Sequence, residues 1–396
     1  MPLAECQRLL KGKGRSKPTP EMAAFLLSWI ACHRAGGEAR SCGHLVQLFD
    51  GHHEALTSLQ KALSSSSGAW LLPVLGFVMR RARQCAVSAD QAISAARPQP
   101  GASSGSSSSL GDAEELGAKA DKCEELARTL NQLFNTCLAD RAADGKMLGC
   151  LDIINNLFKI YFKMSNLRMI PSLLRTVASK GFPSLDSFPI SHLVTYKFYL
   201  GRLELLQGNY PAADQSLSFA FERCTVRSPV NKRLCLLFLV PVRLMLGKLP
   251  RRELLRKYQL PLYQALTDVI RAGDIRAFTE LVERHQDVFI SRGTFILINK
   301  LRYVVLRVFL SRVAVISKAS TGHCIVPGCK FTKTGPHLHL SVLQQLLKDI
   351  DIPEIECIIV NLISRKLVRG YLSHQAGILV MSKGRAFPPI SQMLLL

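Results

Sequence analysis

Residues 353–389 contain the most constraining pattern in this sequence, a helical run of apolar residues that leads directly into two short strands. Isoleucine and leucine recur at helical spacing over residues 355–363, which predicts a helix with one buried face. Apolar runs at residues 367–372 and 378–382 flank a short turn that ends in glycine, and they predict a β-hairpin. A helix followed by a hairpin is the end of a winged helix, a module that binds proteins or nucleic acid and rarely performs chemistry. The pattern therefore predicts a binding or assembly protein.

Upstream, residues 112–290 predict one helix after another, without strand signals. Gly201 would allow two helices to approach closely, and the Gly-Asn-Tyr-Pro run at residues 208–211 would form the turn between them. Comparable turns recur near Gly247 and Gly273 at irregular spacing. The sequence thus predicts a mainly α chain, a right-handed helical-repeat solenoid of the tetratricopeptide type that ends in a winged helix. A plain helical bundle is the alternative.

These patterns divide the chain into four predicted regions. They are a divergent N-terminal helical region at 1–97, a flexible Gly/Ser linker at 98–111, the helical-repeat solenoid at 112–290, and the winged helix at 291–389 with an insertion at 318–340.

The composition favours an anionic partner and a reducing compartment. The formal net charge is +22, from 51 basic and 29 acidic residues, which suits nucleic acid, an acidic protein or a membrane surface. The 12 cysteines form no C-x-x-C pair and lie mostly in apolar helical runs, so they predict buried free thiols rather than disulfides. No uncharged apolar run is long enough to predict a membrane span. Metalloprotease, Walker and dinucleotide-binding fingerprints are absent from the sequence, so we do not predict an enzyme.

Basic residues are concentrated in the last hundred positions. Between residues 288 and 348 there are nine lysines and arginines and no acidic residue. Such side chains neutralise phosphates in salt-sensitive, largely sequence-independent contacts. A solvated face, or a docking surface for an acidic protein, is the alternative explanation. The predicted nucleic-acid-binding residues are Arg302, Arg307, Arg312, Arg365, Lys366, Arg369, Lys383 and Arg385.

The insertion contains four weak metal-ligand candidates, Cys324, Cys329, His337 and His339. Thiolate and imidazole are good zinc ligands, but this spacing fits no standard zinc motif. We therefore predict no metal and no cofactor, and an insertion loop whose potential ligands are incidental.

Five segments, in this order, resemble the PCI-domain subunits of the nuclear transcription-export complex 2. The resemblance extends from about residue 70 to the end and is weak over residues 1–69 and 323–339. The segments are NNLFKIYFKMSNL (155–167), VTYKFYLGR (194–202), LSFAFERC (217–224), NKRLCLLFLVPVRLMLG (231–247) and LVRGYLSHQAGILVMSK (367–383).

The resemblance implies a non-enzymatic role in mRNA export at the nuclear pore. It implies two protein partners, a large PCI-containing export scaffold and a small acidic peptide subunit that is shared with the proteasome lid. It also implies that paired winged helices form a joint basic surface for RNA or DNA, to which Arg369 and Lys383 would contribute; Arg365, Lys366 and Arg385 are added only because they lie nearby. Assembly subunits of proteasome-lid, signalosome or translation-initiation complexes share the PCI domain and are the alternative.

Overall fold

The computed structural model describes residues 25–26, 28–29, 42–65, 69–96, 121–140, 145–320, 337–347 and 350–390. The chain clusters into two compact units that divide between Tyr196 and Lys197. The described helices of the first unit are α1 (Cys42–Ser65), α2 (Leu72–Ala96), α3 (Lys122–Leu138), α4 (Cys150–Lys163), α5 (Ile170–Val177) and the first part of α6 (Ile190–Leu206). The predicted linker at 98–111 lies outside the described residues.

The second unit contains more helices and a small sheet. They are α7 (Tyr210–Arg223), α8 (Pro229–Met245), α9 (Arg252–Lys257), α10 (Pro261–Ala272), α11 (Ile275–Arg284), α12 (Gln286–Ser291), α13 (Phe295–Lys300), α14 (Arg302–Ser320), β1 (His337–His339), α15 (Leu340–Leu346), α16 (Ile352–Ser364), β2 (Gly370–Ser373) and β3 (Ile378–Met381). None of the helices in the described ranges has both the length and the apolar character needed to cross a membrane.

The first unit is built on helix–helix packing. Helix α2 packs against α1, α3 and α4. On α3, Leu126, Leu130 and Leu133 recur at helical spacing and are fully buried. Helix α4 has a wider buried face, in which Ile154 and Leu157 are also fully buried.

The helical hairpin predicted around Gly201 is confirmed in the second unit. Gly208, in the turn after α6, has a φ of +82°, and the Asn209 side chain accepts a hydrogen bond from the Ala212 amide at the start of α7. A β-carbon at Gly201 would lie 2.7 Å from the side chain of Leu217, so only glycine permits this separation between α6 and α7. Two helices joined by a short glycine turn form the repeat unit of a solenoid.

A carboxylate inside the second unit joins α7 to α8 and the turn that follows. Arg243 Nε lies 3.0 Å from Asp214 Oδ1, and Lys248 Nζ lies 2.7 Å from Asp214 Oδ2. The Asp214 side chain is only 13% exposed, so this carboxylate is largely buried between its two basic partners. Burial alone would raise the pKa of this carboxyl, but the hydrogen bonds from Lys248 and Arg243 outweigh burial, and the pKa lies below its ordinary value.

We expect Asp214→Asn to lower the free energy of unfolding by about 1–3 kcal/mol at pH 7, because it removes charge-assisted hydrogen bonds. Since the pKa of Asp214 is lower in the folded than in the unfolded protein, its stabilisation is present at neutral pH and is lost as the pH falls through the folded-state pKa. The difference between wild type and variant should therefore shrink below about pH 4 in urea unfolding at a series of pH values.

Asp268→Asn is the matched control, because the Arg252–Asp268 ion pair is more exposed, at 49% and 35%. Its loss should cost less than about 1 kcal/mol. Equal losses for the two variants would contradict the role assigned to Asp214.

The C-terminal part of the second unit is a winged helix. Its strands are antiparallel in the order β1–β3–β2, with Leu338 opposite Leu379 and Leu372 also opposite Leu379. Helix α15 packs on α16, and α16 packs on β2. The hairpin and the preceding helix are confirmed, and Ile355 and Ile359 of α16 are buried as the pattern predicts.

Strand β1 is not among the sequence predictions, which treat residues 318–340 as an insertion. The strand is only three residues long, and its alternation of buried and partly exposed side chains is limited to a buried Leu338 between two histidines. Its hydrogen-bonding partner, β3, lies some forty residues later, so no local turn signal marks the pairing. The division of the chain into four regions stays a prediction.

The cysteines that the structure describes carry free thiols. Cys137, Cys150, Cys224 and Cys235 are buried, as expected for cysteines in apolar helical runs, whereas Cys357 is exposed on α16. Burial raises the pKa of Cys137 and Cys235 to about 12. These two thiols are therefore protonated at neutral pH and contribute to the core as small apolar side chains.

Candidate nucleic-acid interface

The eight predicted basic residues lie on elements of the winged helix or just beside them. Three are on α14, two follow α16, one precedes β2 and two follow β3. In chain order they are Arg302, Arg307 and Arg312, then Arg365 and Lys366, then Arg369, then Lys383 and Arg385.

Backbone hydrogen bonds bring the residues of the wing together. The Arg369 amide donates to the Ala386 carbonyl at 2.8 Å, and the Ser382 amide donates to the Arg369 carbonyl at 2.9 Å. Lys383 and Arg385 lie in the segment between these two contacts, and their side chains, like that of Arg369, are exposed. Three cations are thus held on one short stretch of paired backbone.

A second contact extends the basic surface to α14. The Arg365 guanidinium lies over the Tyr303 ring, 4.1 Å from its centroid, which places the end of α16 beside the start of α14 and Arg302. Lys366 follows with a φ of +60°, a left-handed conformation that ends α16 and is uncommon for a residue other than glycine. Arg302, Arg365 and Lys366 are all exposed.

We refer to the exposed residues of these two groups as the basic strip. Arg302 lies on α14, and the other five cations face solvent in the short segments that connect or follow α16, β2 and β3. The basic strip consists of Arg302, Arg365, Lys366, Arg369, Lys383 and Arg385.

The other two predicted residues, Arg307 and Arg312, hold the fold together. Arg307 is partly buried, and its Nη2 donates to the Pro388 carbonyl at 2.7 Å. Burial lowers the pKa of this guanidinium from its ordinary value, and its Nε is a buried donor without a partner among the described residues. Arg312 is exposed, and its Nη2 donates to the Arg271 carbonyl at the end of α10, 2.8 Å away. The structure does not join these two residues to the basic strip.

The four metal-ligand candidates are divided by the structure. His337 and His339 lie on β1 with ring centroids 5.7 Å apart. Burial, and secondarily His337, lower the pKa of His339, so this imidazole is neutral at neutral pH. Cys324 and Cys329 lie outside the described residues, within which no three His, Cys, Asp or Glu side chains are grouped so that they could hold a metal.

Two aromatic residues of this region are missing from the sequence prediction. The Tyr303 ring contacts the Arg365 guanidinium. Tyr371 is 63% exposed on the edge strand β2. A tyrosine that alternates outward on a strand is a signal for a surface role, because an exposed ring can stack on a base. Tyr303 gives no such signal, since its partner is far away in the sequence.

The comparisons with known proteins agree with this architecture. The PCI domain family matches residues 282–383, the winged helix and the helices that immediately precede it. The fold and this match define a PCI-domain protein.

Relatives identify the group more closely. A Dictyostelium discoideum protein named PCI domain-containing protein 2 homolog is 38% identical over 275 residues, 68% of this chain and 61% of that protein. PCI domain-containing protein 2 of Xenopus laevis is 35% identical over 69% of this chain and 66% of that protein. The Danio rerio protein of the same name is 30% identical over 99% of this chain and 88% of that protein. The chain belongs to the PCI domain-containing protein 2 family.

The matched part of this chain spans about three fifths to two thirds of the length of the Dictyostelium and Xenopus relatives, at 61% and 66%.

Proposed function

We propose that this protein is a non-catalytic scaffold and nucleic-acid-binding subunit of a nuclear complex that couples transcription to mRNA export at the nuclear pore. The observation that carries the nucleic-acid part is the basic strip. Its six cations are exposed and connected through the Arg365–Tyr303 and Arg369–Ala386 contacts.

The chemistry of the basic strip suits a phosphate backbone. Lysine and arginine that face solvent on fixed backbone can neutralise successive phosphates, and such contacts bind with little preference for sequence. The exposed face of α16 includes Val360 at 52% exposure, together with Cys357 and Asn361, which offers little for reading base edges. Binding through the backbone of RNA or DNA is therefore the mode that the surface favours.

Two further surfaces support the proposed protein partners. Strand β2 is an edge of the three-stranded sheet and exposes Tyr371, which suits pairing with the winged helix of a large PCI-containing export scaffold.

The second surface lies on α8. There, Val230 and Leu234 are exposed one turn apart, at 76% and 42%, beside Arg227 and Arg233. An apolar stripe flanked by arginines suits the small acidic peptide subunit that is shared with the proteasome lid.

Co-purification tests this proposal. Tagged full-length protein recovered from nuclear extract should bring down the large export scaffold, the small acidic subunit and polyadenylated RNA. Recovery of proteasome-lid, signalosome or translation-initiation subunits without the export scaffold would contradict the proposal. That outcome would favour an assembly subunit whose basic face docks acidic proteins.

A further inference from the structure

The chain around the start of α2 carries apolar residues on every side of the helix. Residues 71–79 read LLPVLGFVM and include no polar side chain. A helix with this pattern is normally buried all round. One side of α2 is buried as expected, because Leu75, Val78 and Met79 are at most 1% exposed where α2 packs against α1, α3 and α4. The opposite side is exposed, which indicates that a further partner covers it.

Three large apolar side chains and one arginine form a line along the exposed side. Trp70, in the short 3-10 turn that leads into α2, is 67% exposed, and Val74 and Phe77 are 36% and 48% exposed. Arg81 continues the line and is also exposed. We refer to Trp70, Val74, Phe77 and Arg81 as the outer stripe. Intervals of four, three and four residues are those at which one helix packs along another.

Both tryptophans of the chain lie at the outer stripe. Trp29 meets the Phe77 ring edge-on, with the ring centroids 5.5 Å apart, yet Phe77 stays half exposed. Trp70 makes no hydrogen bond or ring contact with any other described residue, so its indole N–H is available to a partner. Exposed tryptophan is typical of the residues that anchor protein interfaces, because it buries a large ring and donates one hydrogen bond.

The far end of the outer stripe is basic. Arg80 Nε donates to the Gly76 carbonyl at 2.9 Å, which turns this exposed side chain back along α2. Neither Arg80 nor Arg81 forms an ion pair within the part of the chain that the structure describes, although Asp152 of α4 approaches Gly76. Helix α2 itself has no acidic residue before Asp90. Carboxylates of a partner at this end would therefore complete two charge-assisted contacts.

We propose that the outer stripe binds an acidic amphipathic helix of another protein. The apolar residues of that helix pack on Trp70, Val74 and Phe77, and its carboxylates face Arg80 and Arg81. A second copy of this chain suits the surface less well, because the net charge of +22 opposes self-association.

A membrane surface also suits the outer stripe less well than a helix does. The apolar line is only one residue wide, whereas a helix that lies on a membrane presents a broad apolar face. The outer stripe belongs to the first unit and the basic strip to the second, and the proposal does not depend on the function proposed for the basic strip.

Selection from a displayed library of random peptides of about 20 residues tests the proposal, with the full chain as bait. Enriched peptides should carry leucine, isoleucine or phenylalanine at helical spacing and aspartate or glutamate near one end. In fluorescence anisotropy, Trp70→Ala should weaken their binding at least about 30-fold, and Arg80→Glu with Arg81→Glu about tenfold. All three substitutions replace exposed side chains, so an unchanged melting temperature should accompany the lost affinity.

The first unit offers matched controls for both changes. Met169 is 47% exposed, so Met169→Ala removes a comparable apolar side chain away from the outer stripe. Arg175 and Lys180 are exposed, and Arg175 Nε donates to the Pro171 carbonyl four residues earlier, as Arg80 does to Gly76. Neither Met169→Ala nor Arg175→Glu with Lys180→Glu should change the peptide affinity by more than about twofold.

Several results would overturn the proposal. The first is that no peptide is enriched, or that the enriched peptides lack acidic residues or bind Trp70→Ala as well as wild type. The second is an equal loss of affinity in the two charge-reversal variants, which would assign the binding to overall charge. The third is Trp70-dependent binding to phosphatidylserine vesicles without any peptide binding, which would identify a membrane surface. The fourth is a dimer in sedimentation analysis that Trp70→Ala dissociates, which would identify a second copy as the partner.

Discussion

Replacing Arg369 and Lys383 together with glutamate is expected to weaken the binding of single-stranded RNA to the full chain by about 30- to 100-fold at about 0.1 M salt. Both side chains are exposed and belong to the basic strip. Each substitution removes a phosphate contact and puts a negative charge in its place. Fluorescence anisotropy with a labelled RNA measures the change.

The salt dependence gives a second, independent readout. Each phosphate contact on a single strand contributes about 0.7 to the slope of log affinity against log salt, so the double variant should reduce that slope by about 1.4. The fold should survive, because Arg369 contributes to it through its backbone amide and carbonyl, which pair with Ala386 and Ser382. An unchanged melting temperature would confirm that the lost affinity reflects the surface and not unfolding.

Arg256→Glu with Arg284→Glu is the matched control. Both residues are exposed in the second unit, on α9 and α11, and the pair changes the net charge of the chain by the same amount. It should weaken RNA binding only slightly. If both double variants lose affinity equally, the overall charge of +22 drives binding and the basic strip has no special role.

Much of the fold could be predicted because its signals are local. The turn between α6 and α7 is encoded by four consecutive residues, and the structure shows why: Gly208 supplies a positive φ and Asn209 caps the next helix. The same holds for the turn at Gly273 and Asp274, where the aspartate accepts a hydrogen bond from the Ala277 amide. The final helix and hairpin are likewise encoded by a continuous stretch of sequence.

The remainder depends on contacts between residues that are distant in the chain. Strand β1 exists through its pairing with β3, and three residues alone give no usable pattern. Arg307 reads as a surface cation, yet its orientation is set by the carbonyl of Pro388, 81 positions later. The sequence around Asp214 suggests a carboxylate on a helix surface. In the structure its ion-pair partners are Arg243 on α8 and Lys248 in the turn that follows. In each case the sequence shows the residue type, but it does not show which distant residue becomes its partner in the fold.

The same reasoning applies to the basic strip. Arg369, Lys383 and Arg385 could be grouped from sequence because they flank one hairpin. The connection to Arg302 could not, since it depends on Tyr303 lying beneath Arg365. Arg302 belongs to the basic strip only because α14 is held in a fixed position. That position depends on the packing of α10 and α11 against α14.

Gly273→Ala is expected to lower the free energy of unfolding by about 3–5 kcal/mol, because two separate penalties act at this position. Gly273 ends α10 with a φ of +68°, a conformation that alanine adopts only with strain. A β-carbon there would also lie 2.9 Å from the backbone nitrogen of Phe309, so α14 would have to move away. Urea unfolding followed by circular dichroism measures the loss.

Gly293→Ala separates the two penalties. Gly293 has a φ of +69°, almost the same as Gly273, but no atom lies within 4 Å of the position that its β-carbon would take. This variant should lose only about 1–2 kcal/mol, from backbone strain alone. The difference in the free energy of unfolding between the two variants then measures the cost of the steric clash between α10 and α14. Equal losses would show that the helices are not in close contact at Phe309.

Arg302 and Tyr303 lie on α14, so a displacement of this helix would also disturb the basic strip. Gly273→Ala should therefore weaken RNA binding at temperatures where the rest of the chain stays folded, whereas Gly293→Ala should not.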